Sequence, residues 1–427
     1  MGRDILIKFV HTDELLSNKT GLLLIDEFWK KHRIGEMIDE KLGMPGSNRG
    51  IKSSIYIKSI VELLYCNGSH LEDIKKLESD RGYKKLTGTK KYPTSDALGD
   101  WLRRMGEKGC ESKLWEVTHQ LFKNVEEEET LDIDGTIIEA DKGDGEMSYK
   151  GLTGYHPYIG LTIGNGICAG SKFRYGNASA SGGLLDFIKE CIKNLGKGVK
   201  IIRSDSAGYQ SEIMNFCFDT NRYFTITADH DSAVMEAIRK IEKTQWIQGK
   251  NNRGDFENWM VAETIHTTNK SNLSFRLVVK RERNKNQISI FDSNEYRYWI
   301  IATNLPQEKY SANDIILFHQ KRGELERLIG EIKHHYNLEH MPCGQFSANS
   351  MYFTIGLFAY NILRLMTLTS LDPYWKNKSI RTIRYKLFDL PSKIVKSSRY
   401  LIARIAAPLE YFECFVRCFN FIRFAPT

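Results

Sequence analysis

From Gly21 to about Val125 the apolar residues recur at helical spacing: Leu22, Leu23, Ile25 and Phe28, then Ile55, Ile57, Ile60, Val61 and Leu64, then Leu98, Trp101, Leu102 and Met105. This predicts an all-helical N-terminal domain over residues 1–125, with Thr94 or Ser95 after Pro93 as one helix start. The pattern changes at the acidic run Glu126–Glu129, which reads as an exposed linker. A strand is expected over Thr130–Ile138. Tyr158–Ile163 and Ile167–Tyr175 flank Gly164-Asn165-Gly166, a hairpin signal. A helix over about 183–195, closed by Gly196 and Gly198, leads into the buried strand Val199–Ile202.

Three strands, a helix and another strand open an RNase H-like α/β fold. The stretch from about 223 to 304 is again β-rich, with Tyr223–Thr227, Phe275–Lys280 and Tyr296–Thr303 as its clearest strands. It reads as an insertion between a core strand and one long helix from about Asp314 to His335. The α/β catalytic domain is therefore expected over residues 126–372, followed by a basic helical region over 373–427. The greasiest segment, Met351–Leu368, is interrupted by Asn361 and Arg364 and reads as a buried helix, so no membrane partner is expected.

A chain of 427 residues, 41% hydrophobic and 27% charged, has the composition of a folded multidomain protein. The net charge of +8 matters more. From Lys376 to Thr427 eleven Lys/Arg stand against three Asp/Glu, which accounts for the whole excess. Residues 75–104 hold nine more Lys/Arg, so the N-terminal domain reads equally as a helix-turn-helix-like DNA reader or a helical dimerisation unit. In the tail, Lys/Arg from Arg381 to Arg404 recur about every three residues, as on a helix laying a basic face on a DNA backbone or one that is simply solvated. The eight cysteines form no CxxC pair and read as reduced core thiols. The N-terminus lacks a secretory pattern, and a cytoplasmic location is expected.

Asp132 and Asp134 lie two apart on the first strand and so share a face, while Leu131 and Ile133 take the other. Asp205 follows the buried strand at its carboxyl end, where α/β sheets collect their ligands. On a single long helix, His319, Arg322, Glu326 and Lys333 would share one polar stripe opposite Leu325, Leu328 and Ile332. Arg322 and Glu326 also suit an ordinary i,i+4 ion pair. Carboxylates from separate elements are what hard divalent ions such as Mg²⁺ require, and two such ions support in-line phosphoryl displacement. Arg322 and Lys333 would then hold the phosphate.

Asp134-Gly135-Thr136, the run Arg203 to Tyr209, and the spacing of Arg322, Glu326 and Lys333 resemble the DDE transposases of bacterial insertion sequences, in the subgroup marked by Tyr-x2-Arg-x3-Glu-x6-Lys. His319 stands where that motif has Tyr. Gly154 to Pro157, Arg174 to Asn177 and Phe358 to Asn361 extend the resemblance, which covers roughly residues 132–404. It implies a retroviral-integrase-like core with a β-rich insertion, and Asp134, Asp205 and Glu326 as catalytic metal ligands for two Mg²⁺ ions, with Mn²⁺ as a substitute. It assigns Asp134 over Asp132, and makes His319, Arg322 and Lys333 the DNA phosphate contacts. The implied partners are double-stranded DNA, both terminal inverted repeats and target, and a second copy in a synaptic homodimer at the bacterial nucleoid. Two other readings stand beside it: a catalytically silent transposase-derived DNA-binding protein, and an RNase H-like nuclease without strand transfer. Trp299, with Tyr296 and Tyr298, is either core or a stacking platform for an unpaired base. His334, His335 and Cys343 match no zinc spacing.

Overall fold

A computed structural model describes residues 7–47, 50–123, 125, 130–140, 143–195, 198–268, 273–284 and 295–424. The expected linker Glu126–Glu129 and the helix-closing Gly196 fall outside the described residues. After the short strand β1 (Leu16–Ser17) come α1 (Leu23–Lys31), α2 (Ile34–Leu42), α3 (Ser53–Tyr65), α4 (Ile74–Ser79), α5 (Arg81–Thr87), α6 (Ser95–Glu107) and α7 (Glu111–Phe122). The start of α6 is the one the sequence marks: Thr94 Oγ1 accepts from the Ala97 amide at 3.2 Å, and Leu98, Trp101 and Leu102 turn inward.

Next come β2 (Thr130–Gly135), β3 (Ile138–Glu139), β4 (Glu146–Met147), β5 (Thr153–Tyr155), β6 (Tyr158–Thr162), β7 (Cys168–Lys172), α8 (Leu184–Leu195), β8 (Ile201–Ser204), α9 (Ser211–Asp219), β9 (Tyr223–Thr227) and α10 (Ser232–Arg239). β10 (Ile247–Lys250), β11 (Phe256–Thr267), β12 (Ser274–Arg283) and β13 (Tyr296–Thr303) precede α11 (Ala312–Gln320), α12 (Arg322–His335) and α13 (Phe346–Thr369). The chain closes with α14 (Ile380–Ile383), β14 (Ser392–Ser397), β15 (Tyr400–Ile405) and α15 (Leu409–Phe424).

The fold is mixed α/β. Its main sheet has the order β10-β11-β12-β13-β9-β8-β2-β6-β7, with β2, β8 and β9 parallel and their flanking strands antiparallel. Strand alternation sorts the side chains as the period requires. Leu131, Ile133, Ile202, Phe224 and Ile226 enter one apolar core with residues of α8, α9 and α10. Asp132, Asp134, Arg203 and Thr225 point to the opposite face, where α11 and α12 lie.

Three expectations are corrected. β9 is a central strand paired in parallel with β8, so the added β-structure begins after residue 227, not at 223, and β10–β13 continue the main sheet. The long helix is two helices: it breaks at Lys321, whose ψ of −5° leaves the helical range, beside Gly323, a poor helix former. The basic tail is not a continuous helix over 381–404. Pro391 ends helical structure, and the β-branched, alternating run Ile394-Val395 pairs back as the β14–β15 hairpin around Ser398, whose φ is +51°.

The apolar core also crosses the expected boundary at residue 125. Leu22 through Val117 share one cluster with Leu325 through Ile422, organised around the buried α13. α13 passes a length-and-composition test for a bilayer span, yet 89% of its most apolar window is buried inside the protein. Asn361 explains its interruption: the side-chain amide bonds both the amide and the carbonyl of Cys168 at 2.9 Å, covering the edge strand β7. All eight cysteines are free thiols, seven of them buried.

Candidate active site

β2 and β8 lie side by side in parallel, so the residues at their carboxyl ends, Asp134 and Asp205, emerge at the same edge of the sheet. Asp134 is four-fifths buried with its Oδ1 accepting from the Gly135 amide at 2.8 Å. Asp205 begins a tight turn, its Oδ1 accepting from the Ala207 amide at 3.1 Å and from Ser204 Oγ at 3.3 Å. α12 crosses above: Arg322, nearly buried, donates to Ile133 O at 3.3 Å and to Asp134 Oδ2 at 3.3 Å. Glu326 follows one turn later, with an exposed side chain. Lys333 donates from Nζ to Ile137 O at 2.7 Å. The two cations of α12 thus hold the backbone on both sides of the Asp134–Thr136 turn.

Electrostatics ties the carboxylates together. Burial pushes the Asp134 carboxyl up to about 6; Arg322 opposes this, while the negative charges of Asp205 and Glu326 add to it. Burial likewise lowers the Lys333 ammonium. Among the described residues no three His, Cys, Asp or Glu side chains close into a metal-holding cluster. The donor set is nonetheless all-oxygen, drawn from three elements, and self-repelling. Carboxylate oxygens are the donor type hard divalent ions take, and a cation between such acids relieves their repulsion.

Asp132, the other candidate, is elsewhere occupied. Fully buried, it accepts from Arg203 Nε at 2.5 Å and Nη2 at 2.7 Å, and Arg203 Nη1 donates to Phe318 O at 2.6 Å. This pair bolts β2, β8 and α11 together. The sequence carries half of the signal: Arg203 is the one charged residue of β8, whereas β2 offers both Asp132 and Asp134.

His319 is corrected. It lies on α11, not on α12, and is buried with Nε2 3.0 Å from Thr227 Oγ1 and Nδ1 3.3 Å from Thr225 Oγ1. Burial drives its pKa down to about 3, so it is neutral and enclosed, and unsuited to holding a phosphate. Trp299 is half-buried on β13, with Lys280 Nζ and the Arg297 guanidinium each 4.8 Å from its ring centre.

Sequence reasoning missed His156. A Cβ on Gly135 would lie 2.6 Å from His156 Nε2, so glycine is what admits this imidazole to the end of β2. Burial lowers the His156 pKa and the Ala178 carbonyl lies 3.2 Å from Nδ1, which fixes the proton there and leaves Nε2 as an acceptor beside Gly135. The Gly-Tyr-His-Pro run was visible, but nothing in it says which strand the ring would face.

Residues 3–427 match the family model described as Transposase DDE domain group 1. No curated protein matches the chain. Among solved structures it is similar to the cryo-EM structure of a piggyBac transposase synaptic complex with hairpin DNA, at 11% identity and a TM-score of 0.46 over 86% of this chain and 79% of that one.

Proposed function

The chain belongs to the transposase family defined by the group 1 DDE domain, and from that premise we propose that it cuts DNA at the inverted-repeat ends of its own mobile element and joins the freed 3′ ends to target DNA. What supports this reading is that Asp134 and Asp205 stand at the carboxyl ends of the neighbouring parallel strands β2 and β8, and that Arg322, one turn before Glu326 on α12, contacts Asp134. The strand order β7-β6-β2-β8-β9 within the main sheet is what an RNase H-like core requires and supports the same reading.

Asp134, Asp205 and Glu326 would hold two divalent ions, Mg²⁺ or Mn²⁺. When bound, such ions supply Lewis-acid activation of the attacking oxygen and charge stabilisation of the leaving one. The residues of the chain do the positioning. Arg322 fixes the Asp134 carboxylate and the backbone before it, and Lys333 fixes the backbone after it. Their remaining donors face a phosphate entering the edge. His156 Nε2 offers a proton acceptor beside the reacting group. Trp299 stacks on an unpaired base at a cut end, and the β10–β13 extension supports a hairpin intermediate there. Two copies pair the two ends, in the bacterial cytoplasm at the nucleoid.

The test is metal-dependent nicking and joining of a labelled duplex carrying the element's ends. Asp205→Asn and Glu326→Gln should abolish both while duplex binding persists. Metal-dependent activity retained by both variants overturns the assignment. A wild-type chain that binds but never nicks is the silent DNA-binding protein, and one that nicks without joining is the plain nuclease.

A further inference from the structure

The two basic segments of the sequence, one in the N-terminal helices and one in the tail, meet. α5 and the residues after it carry Arg81, Lys84, Lys85, Lys90 and Lys91 with no acid between residues 81 and 91. The β14–β15 hairpin carries Lys393, Lys396, Arg399 and Arg404 with no acid between residues 392 and 405. β1 joins them: β14 pairs with β1, and Ile394 N donates to Leu15 O at 2.8 Å. Asp80, which caps α5, accepts from Ser17 Oγ at 2.8 Å. Gly82 sets the approach, because a Cβ there would lie 2.4 Å from Leu16 O and 2.8 Å from Ile394 Cδ1. The juxtaposition is therefore built into the packing.

Among the described residues most of the cations on this corner make no ion pair. Lys84 pairs with Glu78 and Lys393 with Glu14, but among the described residues Arg81, Lys85, Lys90, Lys396, Arg399 and Arg404 make no ion pair. Lys393 and Arg404 sit directly opposite each other across the hairpin, where Glu14 pairs with Lys393 and Arg404 makes no ion pair among the described residues. Two open hollows lie here, of about 570 Å³ bordered by Lys76, Lys393 and Arg404 and about 380 Å³ bordered by Arg81, Lys84 and Lys85. The hairpin ends in a two-residue turn, with Tyr400 beside it 74% exposed. A projecting two-stranded ribbon of this kind has the width of a DNA major groove.

We propose that this corner, the α5 segment and the β14–β15 ribbon together, is a second DNA-binding surface that grips the phosphates of a duplex outside the catalytic edge. The proposal rests on the transposase reading for its partner. The ribbon lies in the groove and the α5 cations lie along the adjoining backbone. Binding is by charge and shape, so it is indifferent to base sequence and steeply salt-dependent.

The experiment measures fluorescence-anisotropy binding of a random-sequence 30-base-pair duplex to the full chain across a salt series. Arg81→Gln, Lys85→Gln, Lys396→Gln and Arg399→Gln are combined in one variant. The slope of log K against log salt should fall by roughly 3–4, at about 0.9 for each phosphate no longer neutralised. A control variant with Lys108, Lys113, Lys240 and Lys309 changed to Gln should keep the wild-type slope, and circular dichroism checks that both variants are folded. Unchanged slope and affinity in the corner variant overturn this surface while leaving the catalytic reading standing. A wild-type chain that binds no duplex overturns both. Equal losses in the two variants, or a loss confined to binding of anionic phosphatidylserine vesicles, also overturn it.

Discussion

Two carboxylate–guanidinium pairs stand two residues apart on β2 and have opposite characters. Asp132 and Arg203 are both fully buried and joined by two short bonds of 2.5 and 2.7 Å. Asp134 and Arg322 sit at the sheet edge, part-exposed, and touch once at 3.3 Å. The inner pair satisfies itself completely and has no capacity left for a ligand. The outer pair makes one long contact and leaves several guanidinium donors uncommitted, next to two more acids. Chemistry belongs where pairing is incomplete; the same residue types one pleat deeper are architecture.

The largest expected effect breaks the inner pair. Arg203→Met leaves Asp132 charged and enclosed, and should cost about 3–5 kcal/mol in urea unfolding. The double variant Asp132→Leu with Arg203→Met should recover most of that loss. A single variant as stable as wild type sinks the structural role given to the pair.

Next in size is the outer carboxylate. Its pKa is raised in the folded state to about 6, so ionising it costs stability as pH rises from near 4 through 6. Asp134→Asn should therefore raise metal-free stability at pH 7 by about 1–3 kcal/mol while eliminating activity. Because a metal ion needs the ionised form, calorimetric Mg²⁺ affinity of the wild type should fall about tenfold per pH unit below 6. A flat profile from pH 5 to 7 contradicts the site.

The smallest effect concerns His319. Its folded pKa of about 3 lies below its unfolded value, so its contribution is whole above about 6.5 and is lost as pH falls toward 3. His319→Asn should lower stability at pH 7 by about 1–2 kcal/mol and flatten the acid side of the pH profile. Duplex affinity should not change; a clear loss restores His319 as a phosphate contact.

The elements nearest the chemistry were the most legible. Period-2 alternation put Asp132 and Asp134 on one face, and the apolar run ending at Ile202 put Asp205 at a strand's carboxyl end, because both signals are local. The Gly-Asn-Gly hairpin and the Thr94 cap are local for the same reason. What failed did so where a distant contact overrode the local pattern. The helix expected over 314–335 is two helices, and the break at Lys321 leaves His319 between two threonines of β9 and Arg322 within reach of Asp134. The tail's three-residue charge spacing yielded to pairing of β14 with β1, more than 370 residues earlier in the chain.

By itself, then, the amino-acid sequence determined which segments are strands around the site, which acids stand at their ends, and that two stretches carry the excess positive charge. Tertiary structure alone decided which of two acids on one strand face is consumed by a buried arginine, that the histidine is enclosed, and that the two basic stretches form one surface. The division follows range. Backbone period and turn chemistry act over a few residues, whereas desolvation and pairing depend on whichever groups packing brings within a few ångströms, and the sequence order does not encode that distance.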